Sequence, residues 1–486
     1  MVTDRYDAVI VGSGPNGLAA AIELARHDLE VLVIEGADTI GGGTRTAQLT
    51  IPGYRHDVCS SVHPFAAVSP FLARLPLDRH GLRWVTPDTA AAHPLDGGRG
   101  AVLASLDATA AGLGADGVRY RKLMGPLLRH ADTVIGVSLA PPLRMPPSPL
   151  AAARFGFKAA LPARVLARRF DTAEGRALLA GLAGHAIMPL SRPLTSGLAL
   201  VLALLAHVRG WPVAEGGSAA LTDAMAGYLR TLGGEIVTGQ WIDSLDELPP
   251  SRAVILDVAP AGLARIAGNR LPRRFLRRLR RWNYGPSLFK IDLALRRPIP
   301  WTFEPARHTA TVHVGGTLEE IAAAEAAAWK GEAHPDPFLV LTQPSVIDPT
   351  RAPEGGHTAW AYTHVPRAWP GDATDAIVGQ IERFAPGFTD SIVGIHAASP
   401  AHLEIHNPNN VAGSISGGAL TIGQLLGRPR FNPTPHVLPA DHLYLCSSAT
   451  SPGPGTHGMC GYHAATAALT RSFGIRPTAP SLASSS

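Results

Sequence analysis

Gly12, Gly14 and Gly17 stand in the spacing G-x-G-x-x-G, with Ser13, Pro15 and Asn16 between them. Such residues act through their backbone. Gly12 permits a tight turn, Gly14 lets the main chain approach a diphosphate, and Gly17 lets a helix pack closely on a strand. A helix that starts there offers unpaired N–H groups and a positive dipole end to an anion. Glu35 follows at the tip of the next apolar run. An acid at that point accepts hydrogen bonds from an adenosine ribose and disfavours a 2′-phosphate. The spacing predicts a dinucleotide site.

Two more glycine clusters extend it. In Gly41-Gly42-Gly43-Thr44-Arg45, Gly42, Gly43 and Thr44 can turn amides toward another part of the same phosphates, and Arg45 can add a counter-charge. The other reading is a simple loop with a surface arginine. Near the C-terminus, Gly453, Gly455, Gly458 and Gly461 punctuate a stretch that includes Thr456, His457 and Met459. These glycines let the chain pass flat against a planar ligand. The helix that follows starts where a flavin's pyrimidine end would carry negative charge. His457 either touches that ring or caps the helix. Together the clusters predict FAD, held without a covalent bond. With one fingerprint, a resident nicotinamide is not expected.

Side chains with chemistry of their own are few. Lys290 and Asp292 fall on one face of a presumed strand, in an apolar setting where a bare ammonium is costly. Either they form a structural ion pair, or Lys290 works near the flavin or polarises a substrate carbonyl. His63 either lines the cavity or is a satisfied structural histidine. His185, His207, His313 and His364 are weaker candidates. Cys59, Cys446 and Cys460 have no paired spacing, so neither a disulfide framework, a zinc site nor any other metal is expected. They suit a reducing cytoplasm.

The elements that must position these residues follow from pattern. Asp7 to Gly12 and Glu30 to Glu35 read as buried strands flanking a helix from Gly17 to His27, a βαβ unit. From Leu72 to Ala206 the pattern is mostly helical. Further strands are expected at Glu235 to Thr238, Ala253 to Val258 and Leu443 to Cys446, with antiparallel strands between Leu288 and Val365. Helices are expected at Thr222 to Leu232, Leu318 to Trp329 and Gly461 to Phe473. A chain of 486 residues, 46% hydrophobic and 17% charged, suits about two globular domains. Its net charge of +5 is dispersed. Only Arg265 to Arg281 is densely basic, without the aromatic interleaving of a nucleic-acid surface, so no nucleic-acid partner is expected. Met1 leads into an apolar strand with no charged n-region, which does not read as a signal peptide. The most apolar run, Leu198 to Ala206, falls short of the ~20 residues that span a bilayer. Residues 146–169 mix apolar and basic side chains, either as a packed helix or as a peripheral membrane contact.

The chain resembles the phytoene-desaturase-like FAD oxidoreductases, kin of carotenoid desaturases and amine oxidases. The resemblance rests on Gly210 to Gly217, on Phe289 to Leu295, and on the C-terminal Pro-Gly-x-Gly-x-His-Gly-Met-Cys-Gly. It implies an α/β fold: a discontinuous Rossmann-type FAD-binding domain with an inserted α+β substrate domain. The first would gather residues 1–75, 212–275 and 430–474, and the second 76–211 and 276–429. Residues 475–486 would be a flexible tail. Val237 is implied as a backbone contact to adenine. Ser414 stands where the resemblance leads one to expect an acid. The implied function is FAD-dependent dehydrogenation (desaturation) of a small but bulky hydrophobic substrate. Leu200, Leu204, Trp211, Phe289, Trp360 and Tyr362 are the expected substrate contacts. Alternatives are a redox-neutral isomerase or cyclase, an amine oxidase, or a non-enzymatic binding protein on the same fold. Glu35 and the C-terminal glycine turn argue against the last.

Overall fold

Tyr6–Val11 is an apolar run buried along nearly its whole length, as befits a strand covered on both faces. The computed structural model describes residues 6–478 and places this strand at the centre of a five-stranded parallel sheet. The order is Leu443–Leu445, Ser251–Leu256, Tyr6–Val11, Val31–Ile34 and Glu235–Val237. Strand order reverses at the central strand, so the crevice for a ligand opens beyond its carboxyl end. The three stretches that supply the sheet are far apart in sequence. Strands expected from Asp7, Glu30, Glu235, Ala253 and Leu443 are all present.

The helix Pro15–Ala25 leaves the glycine turn with Pro in its first turn and no side chain capping it. The final helix, Met459–Ala468, lies against it. A Cβ on Gly461 would sit 1.9 Å from the Asn16 carbonyl oxygen. Gly461 therefore serves helix–helix contact rather than a planar ligand. This helix begins two residues before the expected start, and its last turn, Leu469–Phe473, widens into a π-helix.

A seven-stranded sheet forms the roof, in the order Ile392–Ala398, Ser287–Leu295, His357–Val365, Leu339–Thr342, Thr311–Val314, Ala91–Leu95 and Arg99–Leu103. It is antiparallel except where Thr311–Val314 meets Ala91–Leu95. The last two strands correct the helical reading of Leu72 to Ala206. They are short, contain Pro94, and join through Gly97 and Gly98 at positive φ, so neither shows a period long enough to read. The helix Leu318–Lys330 carries a capping box between Thr317 and Glu320. Arg351, which is fully buried, ties together the segments around Asp57, Ala214 and Asp348. Its guanidinium donates to Asp57 at 2.9 Å, Asp348 at 2.8 Å and the Ala214 carbonyl at 3.2 Å. Of the expected tail, residues 479–486 lie outside the described residues, while the Ile475 N–H donates to the Leu469 carbonyl.

Candidate dinucleotide and substrate cavity

One cavity of about 1140 Å³ runs from the parallel sheet to the roof. It exceeds the ~300–1,000 Å³ of ordinary small-ligand pockets. Gly12, Gly14, Pro15, Asn16, Glu35, Gly42, Gly43, Thr44 and Arg45 line one end, and Gly455, Thr456 and His457 line its side. The sequence signals from the two ends of the chain thus meet in one place.

The glycine turn fits a ligand that must approach backbone. Cβ atoms at Gly12 and Gly14 would each lie 2.9 Å from an Asp257 oxygen. At Gly17 a Cβ would lie 2.0 Å from the Gly12 carbonyl oxygen. Gly17 is absent from the cavity wall and does what its spacing predicts, packing helix on strand. Glu35 Oε2 accepts from Ser13 N–H at 2.8 Å and from Ser13 Oγ–H at 2.6 Å, while Oε1 accepts from Ala37 N–H at 2.9 Å. The carboxylate is thereby fixed, and a lone pair on Oε1 stays free for a hydroxyl. Gly41 N–H donates to Ser13 O, which sets the second glycine cluster against the first. Gly43 has open space where a side chain would be. Arg45 donates from Nε to Gly42 O at 3.1 Å. Burial pulls its pKa down and Glu35 pushes it back up. It is a cavity residue and not a loose surface arginine.

The C-terminal turn behaves differently from its expectation. Gly455 and Thr456 line the cavity, and Thr456 Oγ lies 3.2 Å from Ser60 Oγ. Gly458 packs toward Ala19 and Phe71 instead. Met459 is buried away from the cavity wall, and its N–H donates to His457 Nδ1 at 2.9 Å. His457 is therefore both the cap of the final helix and a cavity residue. Burial pushes it down to about 4, so it is neutral at physiological pH. His63 is also a cavity residue, at about 4 for the same reason, and its Nε2 pairs with Ser218 Oγ at 2.9 Å.

Lys290, Val237 and Ser414 also lie off the cavity wall. Lys290 does not line the cavity; it forms a buried ion pair with Asp292 and stands 5.3 Å from the Trp360 ring centroid. The structural ion pair is what the chain makes. Val237 gives its carbonyl to Glu35 N–H and stays off the wall, because the strand ends there and the chain turns inward only at Gln240 to Ile242. Ser414 is buried with its hydroxyl on the Tyr284 carbonyl at 2.7 Å, outside the wall formed by Ile415 to Gly417.

At the roof, Trp211, Trp360 and Tyr362 face the cavity. Trp360 and Tyr362 stack at 5.4 Å and 18°. Leu200 and Leu204 instead turn into the helical core, and Phe289 into the core behind the sheet. His185 lines the cavity with its Nε2 2.8 Å from His313 Nε2, and burial pushes it down to about 4. Sequence reasoning missed Asp257, Arg265 and the Asn407 to Asn410 turn, all of which line the wall. A polar residue directly after the strand Ser251–Leu256 was the available signal for the first.

Comparison with known proteins agrees with this geometry. Residues 10–75 match a family model described as an NAD(P)-binding Rossmann-like domain. A mouse protein, pyridine nucleotide-disulfide oxidoreductase domain-containing protein 2, is 28% identical over 95% of this chain and 93% of its own. One of the subunits of limonene dehydrogenase from Castellaniella defragrans is 24% identical over 95% and 94%. Among solved structures, a putrescine oxidase bound to putrescine is similar with a TM-score of 0.61 at 19% identity, covering 96% of this chain and 98% of its own. An oxidoreductase from Methanosarcina mazei gives 0.62 at 14% identity, covering 93% and 97%. Site and family model together indicate a cradle for a flavin or pyridine nucleotide.

Proposed function

We propose that this oxidoreductase holds FAD non-covalently and dehydrogenates a bulky, uncharged organic substrate, in the manner of the phytoene-desaturase-like enzymes. The observation that carries this reading is the continuity of the cavity: a glycine-built dinucleotide cradle opens directly onto an aromatic roof. Bound flavin supplies the two-electron acceptor. The chain's residues bind, orient and exclude water. The turn at Gly12 to Gly17 and Arg45 would hold the diphosphate, Glu35 the adenosine ribose, and Gly455 to His457 the ring. Trp211, Trp360 and Tyr362 would close over the substrate.

Charge on the wall supports an uncharged ligand. Its carboxylates are Glu35, Asp257 and Glu404. The first two belong to the cradle, and Glu404 accepts the Ala412 N–H at 2.9 Å. A buried ammonium at the roof would go unpaired, at a cost of several kcal/mol (roughly). The similarity to limonene dehydrogenase, whose name gives a hydrocarbon substrate, supports the same class.

The cavity also reaches the protein surface near lipid-compatible side chains. Pro142, Phe155 and Ala159 line it, and Met145, Leu150 and Phe157 beside them are more than half exposed. No helix of the described residues is long and apolar enough to cross a membrane. Peripheral contact with lipid at this face would deliver hydrophobic substrate to the cavity, and liposome co-sedimentation with and without Phe157→Ser checks it.

The deciding assay is anaerobic bleaching of the flavin. Polyenes, terpenoids or polyketide-like rings should bleach it, while amino acids, polyamines, NADH and NADPH should act slowly or not at all. Efficient reduction by a primary amine overturns the reading in favour of amine oxidation. Rearrangement of a compound without bleaching points to redox-neutral chemistry.

A further inference from the structure

Asp257 closes the strand Ser251–Leu256 and stands against the glycine turn. Its Oδ2 accepts the Gly17 N–H at 2.9 Å. A Cβ on Gly14 would lie 2.9 Å from the same oxygen. The carboxylate therefore occupies the wall where the turn would receive a diphosphate. The residue is half-buried, and the surface it leaves open gives onto the cavity.

Its surroundings hold no counter-charge. From the end of Val31–Ile34 it faces Glu35, another acid. From the end of Leu443–Leu445 it faces Cys446, and from the final helix Cys460, both thiols that burial pushes up. From the Pro15–Ala25 helix it receives only the Gly17 N–H. Asn409 Nδ2 donates at 3.3 Å to its main-chain carbonyl and not to the carboxylate. Among the described residues no Lys, Arg or His lies within ion-pair distance of it. Arg45, the cation of the cradle, couples to Glu35 instead. Burial, opposed by the Gly17 hydrogen bond and reinforced by Glu35, raises its pKa to about 7.

A diphosphate placed on this turn adds negative charge beside a carboxylate that has nothing positive to share. We propose that Asp257 is a cofactor-binding residue that takes up one proton when a dinucleotide diphosphate settles on the glycine turn. The proton comes from solvent, the carboxylate becomes a carboxylic acid, and no other bond changes. A neutral carboxyl is a donor as well as an acceptor, so it turns from a repelling neighbour into a hydrogen-bond donor for an anion. The same residue then discriminates by charge: at high pH it opposes the ligand, and at neutral pH it helps to hold it. Dinucleotide affinity is thereby linked to pH, falling about tenfold per unit once the free protein's carboxyl ionises.

This inference rests on the FAD reading above. The test is titration of the apoprotein with FAD, whose diphosphate stays ionised from pH 6 to 9. Calorimetry at pH 8 in two buffers of unlike ionisation enthalpy counts the protons, and flavin fluorescence gives Kd across the range. Close to one proton should be taken up per FAD, and Kd should weaken about tenfold per unit above pH 7. Asp257→Asn should show neither effect and should bind more tightly than the wild type at pH 8.5 by at least about tenfold. Wild-type binding with constant Kd and no proton uptake overturns the proposal, as does an unchanged slope in Asp257→Asn. The wild-type proton count stands even if the variant fails to fold. Absence of FAD binding at every pH is a separate result: it overturns the flavin reading itself and removes the basis for this one.

Discussion

At the end of the cavity that meets the parallel sheet, the wall is main chain: Gly12, Gly14, Gly42 and Gly43, with the Glu35 carboxylate pinned by three hydrogen bonds. At the other end, under the antiparallel sheet, it is side chain: Trp211, Trp360, Tyr362 and His185. At Gly12 and Gly14 the first end has little tolerance for added atoms, since a Cβ at either would lie 2.9 Å from an Asp257 oxygen. The turn beneath is held by Gly17, where a Cβ would lie 2.0 Å from the Gly12 carbonyl oxygen. The second can change shape by exchanging one side chain for another. A cofactor common to many reactions belongs at the rigid end, and substrate choice belongs at the exchangeable one.

The largest expected effects attack the rigid end. Gly17→Ala or Gly461→Ala places a methyl group about 2 Å from a backbone oxygen, and backbone cannot give as a side chain can. The clash is with main chain and goes beyond ordinary overpacking, which costs ~1–3 kcal/mol, so neither variant should reach a stable, flavin-bound fold. Thermal melting and flavin content measure this, and an unchanged Gly17→Ala protein would break the contrast between the two ends.

Next in size is the ion pair beside Trp360, on the face of the roof sheet that carries Trp360 and Tyr362. Lys290→Met strands the buried Asp292 carboxylate and should cost about 3–5 kcal/mol. Lys290→Met with Asp292→Leu should recover most of that and keep the flavin reducible. Failure of the double variant to bleach, although folded and flavin-loaded, would give Lys290 a chemical role after all.

Glu35→Ala removes the proposed ribose acceptor and leaves the Ser13 and Ala37 N–H groups unpaired. Hydrogen bonds to a charged group contribute about 1.5–3 kcal/mol, so FAD affinity should fall roughly 10- to 100-fold. Trp360→Leu should instead leave FAD affinity within about threefold and alter which compounds bleach the flavin, the change being a volume at the roof. Equal loss of FAD from both variants would erase the distinction.

Near neutral pH the smallest effect is the response of the cavity histidines. His63, His185 and His457 sit at about 4 when folded, below the ordinary ~6.5 of an unfolded chain. The folded state then binds fewer protons between those values, so stability is fully present above about pH 6.5 and is lost as pH falls toward 4. Denaturant midpoints at pH 7 and 4.5 should show the fall. Flavin absorbance between pH 6 and 8 should show no histidine titration, and a clear step there would contradict the burial account.

The two ends also differed in how far they could be read from sequence. Glycine spacing reveals a backbone cradle because no other residue can replace it, and the central parallel strands carry continuous buried apolar stretches, Ala8 to Val11 and Val31 to Ile34. At the roof the information lies in which face a residue takes. Phe289 and Trp360 look alike as aromatic strand residues, yet strand alternation sends Phe289 behind the sheet and Trp360 into the cavity. Leu200 and Leu204 turn inward on a helix that is apolar almost all round, where periodicity carries no direction. Asp257 lies 240 residues from Gly17 in sequence, and only the pairing of their two strands brings it to the turn.

The most direct test of the central claim is the identity of what the cradle holds. Purified protein should be yellow, and denaturation without protease should release FAD at one per chain, seen by chromatography and absorbance. Release of FMN, or a folded colourless protein that takes up NAD but not FAD, would contradict it, because the Glu35 site calls for an adenosine and the cavity is long enough to carry a flavin as well.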